Sequence, residues 1–272
     1  MSLSIASLNS GSNGNCYYIG NEHEAVLIDA GISCRETERR MARLKLSMDM
    51  VKAIFISHEH TDHVRGVAIL AKKYQLPVFI TRQTLQRTGL SPERLQLRPL
   101  NAYQPVSIGE LSVLAFPKRH DAVDPHSFVI SCRGATVGVF TDIGQPCDHL
   151  TRHFQQCHAV FLEANYDEQM LEQGRYPFFL KQRIRGGDGH LSNQQALTLF
   201  RDYRPASMSH VLLSHLSKDN NCPQLVLEQF APHQQNTTVV VASRFEETEV
   251  YTINPNLPIG LQLREPALLT AV

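Results

Sequence analysis

The chain has 272 residues, enough to bury a sizeable core in one large α/β domain or two small ones. Lys plus Arg and Asp plus Glu each total 26, a zero net charge that excludes a protein held to nucleic acid or membrane mainly by global charge. With 42% hydrophobic and 19% charged residues, the composition excludes a disordered chain.

In chain order, Ile5–Leu8, Tyr17–Ile19 and Ala25–Ile28 read as short strands joined by the turn-rich SGSNGN and GNEHE segments. Ser33 and Glu36 predict a capping box opening a helix to about Leu44. Lys52–Ile56 is short and apolar, as a strand buried on both faces would be. A helix over Val64–Tyr74 follows, with Val67, Ile69, Leu70 and Ala71 on its core face, and then strand Pro77–Ile80.

The middle is strand-rich: Leu111–Phe116, Ser127–Ser131 and Thr136–Phe140, the last two joined by a hairpin turn at Arg133-Gly134. Helix Asp148–Gln156, strand Ala159–Leu162 and helix Asp167–Gln173 come next. Gly174–Gly189 reads as a basic loop, and Ser192 caps a helix through Tyr203. Ser209–Leu213 and Thr238–Val241 are further strands. Strict βαβ alternation is missing, so one compact domain over 1–272, with two mixed sheets covered by helices, is expected. The N-terminus lacks the basic and apolar regions of a secretory signal. Apolar runs such as Val239–Ala242 fall far short of the roughly 20 residues that span a bilayer. Six cysteines with no C-x-x-C pair read as free thiols, so a cytoplasmic protein is expected.

Histidine stands out, with 13 copies in a chain that has no tryptophan. Directly after the buried strand comes Ser57-His58-Glu59-His60-Thr61-Asp62-His63. Such crowding repels when protonated and costs desolvation when buried without partners; a divalent cation removes both problems. The loop can aim His58 and His60 at one ion, and Asp62 and His63 at a second. More ligands are needed, and His120, Asp142 and His215 each follow an apolar strand, where a side chain is rigidly held at a sheet rim. Imidazole and carboxylate suit zinc, with manganese or iron as alternatives.

This succession resembles the signature of the metallo-β-lactamase superfamily, along nearly the whole chain. The resemblance implies an α/β fold, an αββα sandwich, with metals at one edge between the sheets. It implies that His58, His60 and His120 hold one ion and Asp62, His63 and His215 the other, with Asp142 bridging. Asp29, in Leu27-Ile28-Asp29-Ala30-Gly31, would support the metal loop. Gly189-His190-Leu191-Ser192-Asn193 and Phe161-Leu162-Glu163-Ala164 resemble segments of the RNase Z-like and RNase J-like nucleases. There a histidine, here His190, assists departure of the leaving oxygen and pairs with a glutamate, here Glu163. His190, Glu163 and Asp62 are therefore the catalytic candidates.

Leu8-Asn9-Ser10-Gly11-Ser12-Asn13-Gly14-Asn15 and Leu216-Ser217-Lys218-Asp219-Asn220-Asn221 narrow the resemblance to the small YycJ/WalJ group, associated with exonuclease-like activity on DNA. The roughly 40 residues between Glu168 and Tyr203 leave no room for an inserted clamp domain of the RNase J kind. Lys181, Arg183 and Arg185, with Lys118 and Ser192, are then the expected contacts to a nucleic-acid substrate, and Phe178 and Phe179 the expected stacking surfaces. The expected reaction is phosphodiester hydrolysis by water activated between two divalent cations, on DNA or RNA. Competing readings are a hydrolase of a small thioester or lactone, a nucleic-acid binder without turnover, and a di-iron redox protein.

Overall fold

A computed structural model describes residues 2–256. Two seven-stranded sheets lie face to face. The first contains β1 (Leu3–Asn9), β2 (Cys16–Gly20), β3 (Ala25–Ile28), β4 (Val51–Phe55), β5 (Val78–Ile80) and β6 (Leu97–Pro99). The second contains β7 (Val106–Ile108), β8 (Leu111–Pro117), β9 (His126–Cys132), β10 (Ala135–Phe140), β11 (Ala159–Glu163), β12 (His210–Ser214) and β13 (Thr238–Val241). A last strand, β14 (Tyr251–Ile253), returns to the first sheet and pairs with β1, Leu3 opposite Ile253. Each sheet is antiparallel in one half and parallel in the other: β3 to β6 run parallel, and so do β10 to β13.

The core follows from side-chain alternation along these strands. Leu3, Ile5, Tyr17, Ile19 and Phe55 of the first sheet meet Phe128, Ile130, Val137, Val139, Phe161 and Leu212 of the second. Tyr17 lies 4.8 Å from Phe161, and Phe55 touches both Phe79 and Phe128, so aromatic rings tie the sheets together. Truncating such a ring, for example Phe161→Ala, would cost about 3–5 kcal/mol.

The alternate residues face outward and are buried by helices, which explains the continuous apolar runs of the central strands. Ala6, Leu8, Leu27 and Ile54 pack with α1 (Cys34–Arg43) and α3 (Val67–Tyr74). Phe140, Val160, Leu162, Val211 and Leu213 pack with α5 (Asp148–Phe154), α8 (Asn193–Tyr203) and α9 (Pro223–Phe230). Short α2 (Thr61–Val64), α4 (Arg82–Arg87), α6 (Glu168–Gln173) and α7 (Phe178–Arg185) fill connections. This is the αββα sandwich expected.

Four local expectations need correction. The helix expected over 64–74 is broken into α2 and α3 at Gly66. Ile69 is 65% exposed: Val67, Leu70 and Ala71 sit at positions i, i+3 and i+4 of α3, and Ile69 falls on the opposite side. The segment 174–189 is not a loop but carries α7, which buries none of its residues and so shows no apolar stripe. At the start of α1, Ser33 Oγ accepts from Glu36 N at 3.2 Å as expected, but the Glu36 carboxylate binds Arg39 and Arg40 instead of closing a capping box. The Ser192 cap of α8 does form a full box, with Gln195.

Candidate metal centre

The C-terminal ends of β3, β4, β8, β10, β11 and β12 meet at one rim, where Asp29, His58, His120, Asp142, Glu163 and His215, each at or just after its strand, come together in one cluster. Three of these turns are strained. Asp29 (φ 60°), Asp142 (φ 55°) and His215 (φ 57°) occupy the left-handed region, which non-glycine residues enter at a cost and which clusters at functional sites.

The loop after β4 is clamped first. Asp29 Oδ1 accepts from Ser57 N at 2.8 Å, and Oδ2 accepts from Ser57 Oγ at 2.8 Å and His63 Nδ1 at 2.7 Å. That fixes the His63 tautomer with its Nε2 lone pair toward the cleft. The backbone of 29–32 then presses against 62–66 so closely that only glycine fits. A Cβ at Gly31 would lie 1.6 Å from Asp62 O, and one at Gly66 1.9 Å from Ile32 O.

Two triads result. His58 Nε2 lies 3.1 Å from His60 Nδ1, and His120 Nε2 lies 3.4 Å from the same atom. His120 Nδ1 donates to Gly189 O at 3.0 Å, so its lone pair also faces inward. On the other side, His63 Nε2 is 3.5 Å from Asp62 Oδ2, and His215 Nε2 is 3.7 Å from it. Asp142 stands between the triads: Oδ2 is 3.4 Å from His63 Nε2, and Oδ1 is 3.3 Å from His215 Nδ1 and 4.0 Å from His120 Nε2. Within each triad the donor atoms lie within 4.8 Å of one another.

Electrostatics divide the triads. Burial, with His63 and Lys118 nearby, holds His58 well below the usual imidazole range, and burial takes His120 down to about 3. These are neutral imidazoles with free lone pairs. Burial also opposes charge on His63 and His215, but the surrounding carboxylates outweigh it. Asp142, Asp29 and Asp62 push His63 well up, and Asp142, Asp62 and Glu163 push His215 up to about 10. The second triad therefore calls for positive charge, and a cation would replace those protons. Asp142 Oδ2 and His215 Nε2 are buried without a hydrogen-bond partner, a rare and costly state for polar atoms. Imidazole and carboxylate oxygen are ligands for zinc, manganese or iron, so the residues present fit divalent cations.

His190 and Glu163 adjoin the cluster. Glu163 is fully buried: Oε1 accepts from His190 Nδ1 and from His215 Nδ1, each at 2.8 Å, and Oε2 accepts from Ile143 N at 2.7 Å and Leu191 N at 3.1 Å. These contacts overcome the penalty of burial and hold its carboxyl down to about 2. The His190 ring centroid is 5.2 Å from that of His120 and 5.2 Å from that of His215, one in each triad. His190 and His215 line a cleft of about 200 Å³, whereas a larger groove of about 530 Å³ beside α3, lined by Ile69 and Lys72, contains none of this chemistry.

Of the five expected substrate contacts only Arg183 lines that cleft, and two are buried in other roles. Lys118 is buried, donates from Nζ to Thr141 O at 2.8 Å, and burial pushes its pKa down. Ser192 is fully buried, and its hydroxyl serves Gln195 N and Glu168 in the α8 cap. Of the others, Arg183 lines the cleft but is paired with Asp121, Arg185 is paired with Glu172, and Lys181 donates to Glu172 O. Phe178 and Phe179 are each 74% exposed.

Three residues escape the sequence analysis as site residues. Asn15 Nδ2 is 3.1 Å from Asp62 Oδ2 and from His63 Nε2, while its Oδ1 accepts from Gly11 N and Tyr17 OH. Ser10 Oγ accepts from His215 N at 2.7 Å. Asn165 Nδ2 donates to His215 O at 2.7 Å. For Ser10 and Asn15 the signal is the density of Asn and Ser in SGSNGN, which reads equally well as a turn; Asn165, after Glu163-Ala164, carries no such signal.

A family model described as a beta-lactamase superfamily domain matches residues 24–244. The chain is 30% identical over 266 residues to the exodeoxyribonuclease YycJ of Bacillus anthracis, covering 96% of this chain and 99% of that protein. It is also 30% identical over 223 residues to the exodeoxyribonuclease WalJ of Streptococcus pneumoniae serotype 2, covering 80% of this chain and 83% of that one. The crystal structure of the metallo-beta-lactamase fold protein YhfI from Bacillus subtilis superposes with a TM-score of 0.71 at 15% identity, covering 93% of this chain and all of that one. The fold, the family match over residues 24–244 and the kinship to YycJ accord with the resemblance read from the motifs: the chain belongs to the beta-lactamase superfamily.

Proposed function

We propose that this chain is a dinuclear-metal phosphodiesterase that degrades DNA as an exonuclease. His58, His60 and His120 would hold one ion, Asp62, His63 and His215 a second, and Asp142 both. Zinc is the proposed resident metal, supported by the imidazole-rich donor set. Divalent cations held there supply Lewis-acid polarisation of a phosphoryl group and activation of water near neutral pH.

The observation that carries this reading is the position of His190, with its ring between the two triads and its Nδ1 held by Glu163. With Nδ1–H donated to a fixed carboxylate, Nε2 is left for the cleft that His190 lines, where it can hand a proton to a departing oxygen. Glu163 acts through His190 and His215 and is a positioning residue. Asp29, Asn15 and Asn165 hold the ligands in place. Arg183, on the cleft wall, can exchange Asp121 for a substrate phosphate.

The relatives YycJ and WalJ are exodeoxyribonucleases, so hydrolysis of a small thioester or lactone is not favoured. A cytoplasmic location as one domain accords with six free cysteines and a core shared from Leu3 to Ile253. Among the described residues no helix is long and apolar enough to cross a membrane.

The test is His190→Ala. Both metals should be retained while DNA turnover falls by roughly 10²- to 10⁴-fold, the usual contribution of a general acid. Turnover within threefold of the parent protein removes His190 from the mechanism.

A further inference from the structure

The cleft beside the metal cluster shares Leu216 and Ser217 with a second groove of about 400 Å³. Lys218, Arg244 and Phe245 line this second groove, and none of them has a role in the hydrolytic centre. The two Asn- and Ser-rich motifs of the sequence frame it: Ser10 comes from the first, Ser217 and Lys218 from the other.

Phe245 is 73% exposed, yet the turn that carries it is tightly held. Arg40, buried on α1, donates from Nη2 to Phe245 O at 2.8 Å, while its Nη1 donates to Leu8 O and Asn9 Oδ1. Ser243 Oγ accepts from Phe245 N at 3.0 Å and from Glu246 N at 3.4 Å. An apolar ring is thus presented to water on rigid backbone, the arrangement a stacking platform needs. Beside it, Arg244 Nη2 donates to Ser12 Oγ at 3.2 Å, a hydroxyl on the wall of the first cleft. Arg244 Nη1 is buried and has no hydrogen-bond partner, so the guanidinium has a donor to give to an anion. Against the single carboxylate of Glu246, Lys218 and Arg244 leave the groove net positive.

We propose that this groove is a nucleotide subsite for the strand flanking the scissile phosphate, with Phe245 stacking on a base and Arg244 and Lys218 holding a backbone phosphate. It rests on the phosphodiesterase reading above. Bases in a duplex already have both faces stacked, so the subsite takes unpaired DNA. The sharing of Leu216 and Ser217 joins the subsite directly to the cleft beside the metal cluster.

The chain has no tryptophan, so F245W places a single indole reporter at the platform. The metal-loaded F245W protein is titrated with a phosphorothioate oligothymidylate that resists hydrolysis, and F178W serves as the comparison. Saturable quenching at F245W and none at F178W is expected. F245A, at a side chain already 73% exposed, should weaken binding of the same oligonucleotide by about 5- to 150-fold, the range of one base–aromatic stack. Quenching at F178W alone, or F245A binding within twofold of the parent, overturns the subsite while the nuclease reading stands. If the unsubstituted, metal-loaded protein hydrolyses no DNA, the nuclease reading falls and the subsite with it.

Discussion

Glu163→Gln is the sharpest single probe of how this centre is held together. The buried carboxylate accepts four hydrogen bonds, two from imidazoles and two from backbone amides. A carboxamide keeps the shape but has only one accepting oxygen. If its NH₂ replaces Oε2, the amides of Ile143 and Leu191 lose their acceptor, at about 1–3 kcal/mol each, or roughly 2–6 kcal/mol together. If the NH₂ replaces Oε1 instead, the rings of His190 and His215 must turn Nδ1 into an acceptor, and their protons move to Nε2. That second arrangement preserves folding but masks the His215 lone pair that faces Asp62, and so should prevail. Removing a partner that fixes a ligand tautomer typically costs about 10- to 100-fold in metal affinity, or about 1.4–2.7 kcal/mol. His190 also loses the carboxylate that supports a second proton on its ring, so turnover at saturating metal should fall by roughly 10²- to 10⁴-fold. Competition with a chromophoric chelator measures the affinity, and end-labelled DNA the turnover. Metal affinity within twofold and turnover within threefold of the parent protein would refute the proposed linkage through Glu163.

Further consequences can be checked independently. Asn15→Ala removes the amide that touches Asp62 and His63 and leaves Gly11 N and Tyr17 OH without their acceptor; metal affinity should drop by about 10- to 100-fold, and unchanged affinity in chelator competition counts against a positioning role. Gly31→Ala drives a methyl into Asp62 O, so thermal unfolding should report destabilisation at or beyond the upper end of the usual range of about 1–3 kcal/mol for overpacking, whereas a stability matching the parent contradicts the close approach. His210, away from the metal cluster, is pushed by burial down to about 4. Its folded value is depressed, so its contribution is full above the unfolded value near 6.5 and is lost as pH falls through about 4. From that gap, His210→Gln should remove up to about 3 kcal/mol of the stability lost on acidification. Urea titrations at pH 7 and pH 4.5 measure it, and an unchanged difference between the two refutes it.

Local chemistry was legible in the sequence and tertiary pairing was not. His58, His60, Asp62 and His63 are adjacent in the chain and follow a buried strand, so their convergence needs no knowledge of the fold. His120, Asp142 and His215 could be placed because each follows an apolar strand, and strand ends share a rim. Asn15, by contrast, acquires its role from contact with Asp62, 47 residues away, and nothing local separates it from its turn-forming neighbours. Lys118 and Arg119 look alike as a basic pair, yet one turns inward onto Thr141 O and the other pairs at the surface with Asp188. The platform residue Phe245 is held by Arg40 from the far end of the chain, a contact that sequence pattern does not encode. The seven other histidines are outside the cluster; His153, for example, stacks on Phe116 at 4.4 Å.

The central claim is that one pair of cation-binding triads hydrolyses DNA from an end. Protein stripped by a chelator and then reconstituted with zinc or manganese should be followed on single-stranded DNA labelled at either terminus. The account predicts no turnover in the stripped protein, recovery with about two equivalents of divalent metal, and mononucleotides released progressively from one end. DNA hydrolysis that survives chelation, or a fully metal-loaded protein that leaves the labelled DNA intact, would contradict it.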